Sequence, residues 1–295
     1  MAPTCADPAR AGRSTARAQL LAATVLSGLM AVLARLATLA GGGFSGGQNT
    51  VVRFAVGLAC CAAYVAIRPG SFRPNRPGLL ATRGLVGGTA VLLYFWALSR
   101  IPAGDATLLN SLFPLIATVM AIAVLRERPT ARVALALAIT AIGMAMVLGA
   151  GTRAAPLGLG HLAGFASAWL SATAMLSIRA LRADHNAATI FAALCLGGLV
   201  AAAPFALQPW QHSVAAWALA TASALAGVAS HLLMTHSLGA LTVPEAAVLQ
   251  QLAPAASYLW AIPLLGETPR WPELLGVAAV TLGVALGAVR TARRP

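Results

Sequence analysis

The chain reads as long apolar runs separated by short breaks of Gly, Pro and Arg. The runs fall at about 18–40, 49–67, 78–99, 104–124, 131–149, 157–178, 188–206, 213–236, 242–264 and 272–290. Each approaches the roughly 20 residues that a helix needs to cross about 30 Å of hydrocarbon. Linkers such as GGGFSGG, RPGSFRPNRP, RERPTAR and GETPRWPE leave no room for an extramembrane domain. The pattern predicts an all-α integral membrane protein with ten transmembrane helices. Residues 1–17 and 291–295 are expected as terminal tails. The first run outlasts the roughly 7–15 residues of a signal-peptide core, so it is expected to be retained.

Composition agrees with this pattern. The 295 residues are 59% hydrophobic and 9% charged, with mean hydropathy +0.81; soluble domains carry about 25% charge. The net charge of +13 comes from 20 Arg and no Lys. These form short clusters between apolar runs rather than one patch, which argues against nucleic acid as a partner. With the N-terminus in the cytoplasm, 14 Arg fall inside and 3 outside, and Arg35, Arg53 and Arg83 fall within helices. That bias predicts cytoplasmic termini. The four cysteines, Cys5, Cys60, Cys61 and Cys195, have no metal-ligand spacing and read as small apolar fillers.

Shifting the sequence by 140 residues reveals a repeat. LLNSLFPLIATVMAIAVLRERP aligns with VLQQLAPAASYLWAIPLLGETP. Pro114 meets Pro254, Glu127 meets Glu267, Asn110 meets Gln250, and Asp105 meets Glu245. Residues 91–149 and 231–289 share 16 identities in 59 ungapped positions. The halves, 18–150 and 151–290, are predicted to be five-helix repeats. Five is odd, so they insert with opposite topology, an arrangement that recurs in transporters with a central site and alternating access.

In these features the chain resembles the EamA family of the drug/metabolite transporter superfamily. The residues that carry the resemblance are Arg53-Phe54 at the start of the second helix and the duplicated mid-span Pro followed by Glu thirteen residues later. The resemblance implies ten helices and export or exchange of small metabolites, amino acids or drugs across the bacterial inner membrane. RER replaces GET in the first repeat, so the two turns differ.

Intramembrane polar residues are the candidate site, because a charge at the bilayer centre costs about 2.5–3.5 kcal/mol on insertion scales and usually faces a cavity or partner. Asn110, Pro114 and Thr118 share a helix face, as do Gln250, Pro254 and Tyr258. Each Pro frees backbone groups one turn earlier, which is tolerated in a membrane where protein or a wet cavity supplies partners. Pro114 and Pro254 are therefore expected helix breaks. Asn110 and Gln250 are the expected cavity residues, the alternative being hydrogen bonds between helices. Tyr94, Tyr258, Trp169, Arg53 and His231 are further cavity candidates. Arg53 alternatively snorkels or pairs with Asp105. His231 is either a proton-coupling group or a neutral structural one. Asp105 and Glu245 open helices where the dipole favours an acid; gating or coupling is their other reading. Arg83, at the start of the third helix, reads as a cytoplasmic anchor. Glu127 closes a helix and is expected to receive an Arg or cap the next helix. Gly283 and Gly287, with Ala141, Ala145 and Gly149, suggest tight contacts, either between repeats or in a homodimer.

The leading expectation is a secondary transporter that binds a small molecule, is embedded in lipid and uses no cofactor or metal. No Walker A pattern is present, so a proton gradient or exchange is the expected drive. The other classes are a membrane sensor or assembly partner, and an intramembrane hydrolase built on Ser230, His231 and Ser237. The hydrolase reading lacks a GxSxG or HExxH motif.

Overall fold

The computed structural model describes residues 8–41, 43–67, 74–98, 100, 109–127, 129–149, 158–266 and 271–288. The described residues form helices and their connections. The first repeat contains α1 (Pro8–Leu39), α2 (Gly46–Ile67), α3 (Pro77–Leu98), α4 (Phe113–Met120) and α5 (Ala131–Gly149). The second contains α6 (Leu159–Leu181), α7 (Ala187–Ala206), α8 (Val214–Ser237), α9 (Val243–Gln250), α10 (Leu252–Leu265) and α11 (Trp271–Ala288). α9 and α10 are two halves of one apolar run, and α4 continues as a π-helical turn over Ala121–Leu125.

Seven helical segments are long and apolar enough to cross a membrane, with Val243–Leu265 counted as one. Phe113–Leu125, Ala131–Met146 and Trp271–Leu286 are shorter apolar segments. The chain is a multi-pass helical membrane protein. α1 begins at Pro8, earlier than the apolar run suggests. Arg13 and Arg17 lie in this first stretch of helix, within 3.6 and 3.4 Å of Glu245 respectively, so polar residues extend the helix past its apolar part.

Packing follows the repeat. α1 lies along α8, and its counterpart α6 lies along α3. α3 packs on α7 as α8 packs on α2; α4 meets α6 as α10 meets α1. α2 meets α7, and α5 meets α11, across the pseudo-twofold itself. The interior is built largely from Ala and Gly, whereas Leu135, Ile142, Val200 and Leu282 point outward at more than half exposure. Lipid is as apolar as a Leu side chain, so close backbone packing between small residues holds such helices together. A Cβ on Gly283 would lie 2.5 Å from Thr140 Cγ2, and one on Gly143 would lie 2.7 Å from the Val280 nitrogen. The Gly283 row thus joins the two repeats within one chain. A Cβ on Gly84 would lie 2.3 Å from the Ala193 carbonyl oxygen, so α3 and α7 are equally close.

Candidate functional site

Both breaks lie three residues ahead of a proline. The chain turns at Ser111 and Leu112 before Pro114, and at Gln251 before Pro254. The Leu112 and Gln251 amides donate to the carbonyls of Leu109 and Val248, three residues back, at 3.2 and 3.3 Å. Each proline then sits in the first turn of the following helix, where its missing donor is not needed. Thr118 returns its hydroxyl to the Pro114 carbonyl at 2.9 Å.

The breaks face a cavity of about 900 Å³ between the halves. Its lining runs from Phe44, Ser45 and Gly46 at the α1–α2 connection to Leu20, Ile178 and Met234 deep in the bundle. Asn110, Gln250, Tyr94, Tyr258, Arg53 and His231 all line it, as do Pro114 and Pro254. Asn110 donates to Ser167 Oγ at 2.9 Å, and Ser167 donates to the Gly164 carbonyl. The Gln250 amide approaches Met175 Sδ at 3.7 Å, a weak acceptor. Arg53 Nη2 lies 3.1 Å from His231 Nδ1. Guanidinium has only donors, so His231 Nδ1 accepts and its proton resides on Nε2. The Tyr258 hydroxyl donates to Glu273.

Two sequence expectations are corrected, and a third residue, Glu245, opens its helix as expected. Trp169 does not line this cavity; it is 47% exposed and meets Phe165 edge-on, because its position on α6 faces outward. Arg83 is no interfacial anchor: it is 3% exposed and lines the cavity. Its Nη1 lies where a Cβ on Gly87 would be only 2.1 Å away, so it extends past the next turn of its own helix. Glu245 lies outside the cavity lining and closes a capping box with Thr242, besides its pairs with Arg13 and Arg17. Asp105 falls outside the described residues. Gln251 was missed by sequence reading, although the QQ doublet in an apolar run marks it. Its amide is 1% exposed, lines the cavity, and has neither Nε2 nor Oε1 partnered among the described residues.

At the end of the bundle that holds the start of α1, polar contacts join the repeats. Glu127 accepts Arg179 Nε at 3.0 Å and the Val243 amide at 2.8 Å, so one carboxylate both pairs and caps across the halves. Arg76 pairs with Asp184 at 3.1 Å, and the Asn75 amide donates to His185 Nε2 or the ring nitrogen donates to its carbonyl. Arg182 donates to the His185 carbonyl, and burial pushes its guanidinium below the usual range. No group of three His, Cys, Asp or Glu among the described residues could hold a metal ion.

The profile of the EamA-like transporter family matches residues 17–149 and 158–288, one match per repeat. The chain belongs to the EamA-like transporter family. Proteins of this family are membrane transporters of small molecules. The chain is 27% identical over 154 residues to the pseudopaline exporter CntI of two Pseudomonas aeruginosa strains. That match covers 51% of this chain and spans about half the length of the curated relatives, 54%. A crystal structure whose name states no function is similar with TM-score 0.79 and 23% identity, over 94% of this chain and 99% of that one. At that identity it speaks to the fold alone.

Proposed function

We propose that this EamA protein is a secondary transporter that moves a small organic solute by alternating access, with all ten apolar runs crossing the bilayer. Arg placement supports cytoplasmic termini in a bacterial inner membrane. The observation that carries the reading is the cavity of about 900 Å³ between symmetric halves, walled by both broken helices. A cavity of this size suits a metabolite, amino acid or drug-sized molecule. Contacts across the repeats, Glu127 with Arg179 and Glu245 with Arg17, lie at the end that holds the start of α1. Releasing them while the opposite end closes would expose the same cavity to the other face, which is the motion inverted repeats permit. The likeness to an exporter favours export as the direction. Asn110 and Gln250 contact the solute from opposite repeats, and the neutral His231 is the proposed proton-responsive group, because protonating Nδ1 removes the acceptor that holds Arg53.

The test compares metabolites released by cells with and without overexpression, followed by flux of the hits in proteoliposomes with and without a pH gradient. Solute-specific flux is the expected result. A fully inserted protein that changes no metabolite and carries no flux would overturn the reading.

A further inference from the structure

We infer that the solute bears a carboxylate, and that Arg83, with Arg53 beside His231, forms its anion-binding wall; this rests on the transporter reading. Arg83 is the deciding residue. α3 begins at Pro77, and at 1.5 Å per residue Arg83 sits roughly 9 Å along it. Its Nη1 reaches the level of Gly87, roughly 15 Å along, about half of a bilayer's hydrocarbon thickness. Helical side chains lean towards the N-terminus of their helix. A snorkelling Arg near that end would follow the lean to water. Arg83 goes the other way, towards the cavity that it lines. Gly87 makes this path open, since a Cβ there would displace Nη1.

Among the described residues no acid pairs with the Arg83 guanidinium, and its buried Nε has no hydrogen-bond partner. Arg53 lines the same cavity and is held by a neutral imidazole, which fixes its direction without cancelling its charge. Glu273 is the described acid in the lining, and it receives the Tyr258 hydroxyl. Every other described acid (Glu127, Asp184 and Glu245) pairs with an Arg outside the lining. Arg83 and Arg53 therefore face a low-dielectric space, where an anion gains most from them, and Arg35 is a third guanidinium of the same lining. The planar fork of guanidinium matches a carboxylate through two parallel hydrogen bonds. Gln251, with both amide atoms unpartnered in the same lining, offers a donor and an acceptor for the polar remainder of the solute.

The test uses purified full-length protein and matched probes: a carboxylate, primary amide and primary amine on each of phenyl, indolyl and pentyl groups. Binding is measured by calorimetry in detergent, and flux separately in proteoliposomes. The carboxylates are expected to bind at least tenfold tighter than their amides and amines, with affinity falling as salt rises. Arg83→Gln should erase that preference and Arg83→Lys restore part of it. Gly87→Ala, which keeps the charge but displaces it, should weaken carboxylate binding while leaving the amides unchanged. Amides or amines binding as well as the carboxylates, or no probe binding at all, would overturn the inference. A carboxylate preference that survives Arg83→Gln in a protein that elutes as a single folded species would do the same. Carboxylate binding without flux of any probe would sink the transporter reading and leave the anion site standing.

Discussion

At the residue scale, three polar groups on the cavity wall differ in how well they are satisfied. Asn110 already has a partner in Ser167, so Asn110→Ala removes a made hydrogen bond as well as a solute contact. A net hydrogen bond is worth about 1 kcal/mol, so roughly a fivefold loss of flux is expected with insertion intact. Gln250→Ala should lower flux similarly, because its Met175 contact is weak. Normal flux in both variants, measured at equal membrane content, would rule out these residues as solute contacts. Gln251 predicts a different signature. Its amide is buried without partners among the described residues, so exchanging it for an apolar side chain relieves an unmet desolvation cost. Gln251→Leu is expected to hold or raise the unfolding temperature in detergent while lowering flux. A drop in both would mark the amide as structural.

At the scale of elements, the helical character and the two-repeat organisation were readable, and the side-chain destinations were only partly so. The duplicated Pro at spacing 140 marked the broken helices, and the breaks lie just ahead of both prolines, because Pro is tolerated in a first turn. Of the two readings of Glu127, receipt of an Arg is met by Arg179, whereas the helix it caps is α9 of the other repeat rather than the one that follows it. Arg83 and Trp169 were misread for the same physical reason. A position in an apolar run gives depth, but not the helix face. For Arg83 the clue was Gly87 one turn on, whose missing side chain leaves room for the guanidinium, whereas Gly84 and Gly88 pack directly on α7. Glu127→Gln cancels the charge and replaces one accepting oxygen with an amino group, so Arg179 and the Val243 amide compete for the oxygen that remains. Glu127→Gln should therefore destabilise the protein by about 1–3 kcal/mol, read as a lower unfolding temperature. The α5–α11 contact tolerates a side chain even less. A Cβ on Gly283 meets Thr140 at 2.5 Å and the Ala136 carbonyl oxygen at 3.0 Å. Gly283→Leu should cost about 1–3 kcal/mol or more by overpacking, with reduced yield of folded protein as the readout. An unchanged yield and unfolding temperature would show that the interface can separate.

At the scale of the whole molecule, the proposed alternating access rests on a pseudo-twofold relating the two repeats. The EamA matches to both halves and the paired contacts α1–α8 and α6–α3 express that symmetry. A symmetric pair of halves around one cavity gives two related closed forms, each opening the cavity to one face. The most direct test is side-specific labelling of a single cysteine at Ser171, a cavity-lining residue midway along α6. The background replaces Cys5, Cys60, Cys61 and Cys195. A membrane-impermeant thiol reagent is applied to right-side-out and inside-out vesicles. The account predicts labelling from both faces, with the ratio changed by a transported solute. Labelling confined to one face under every condition would contradict alternating access through this cavity.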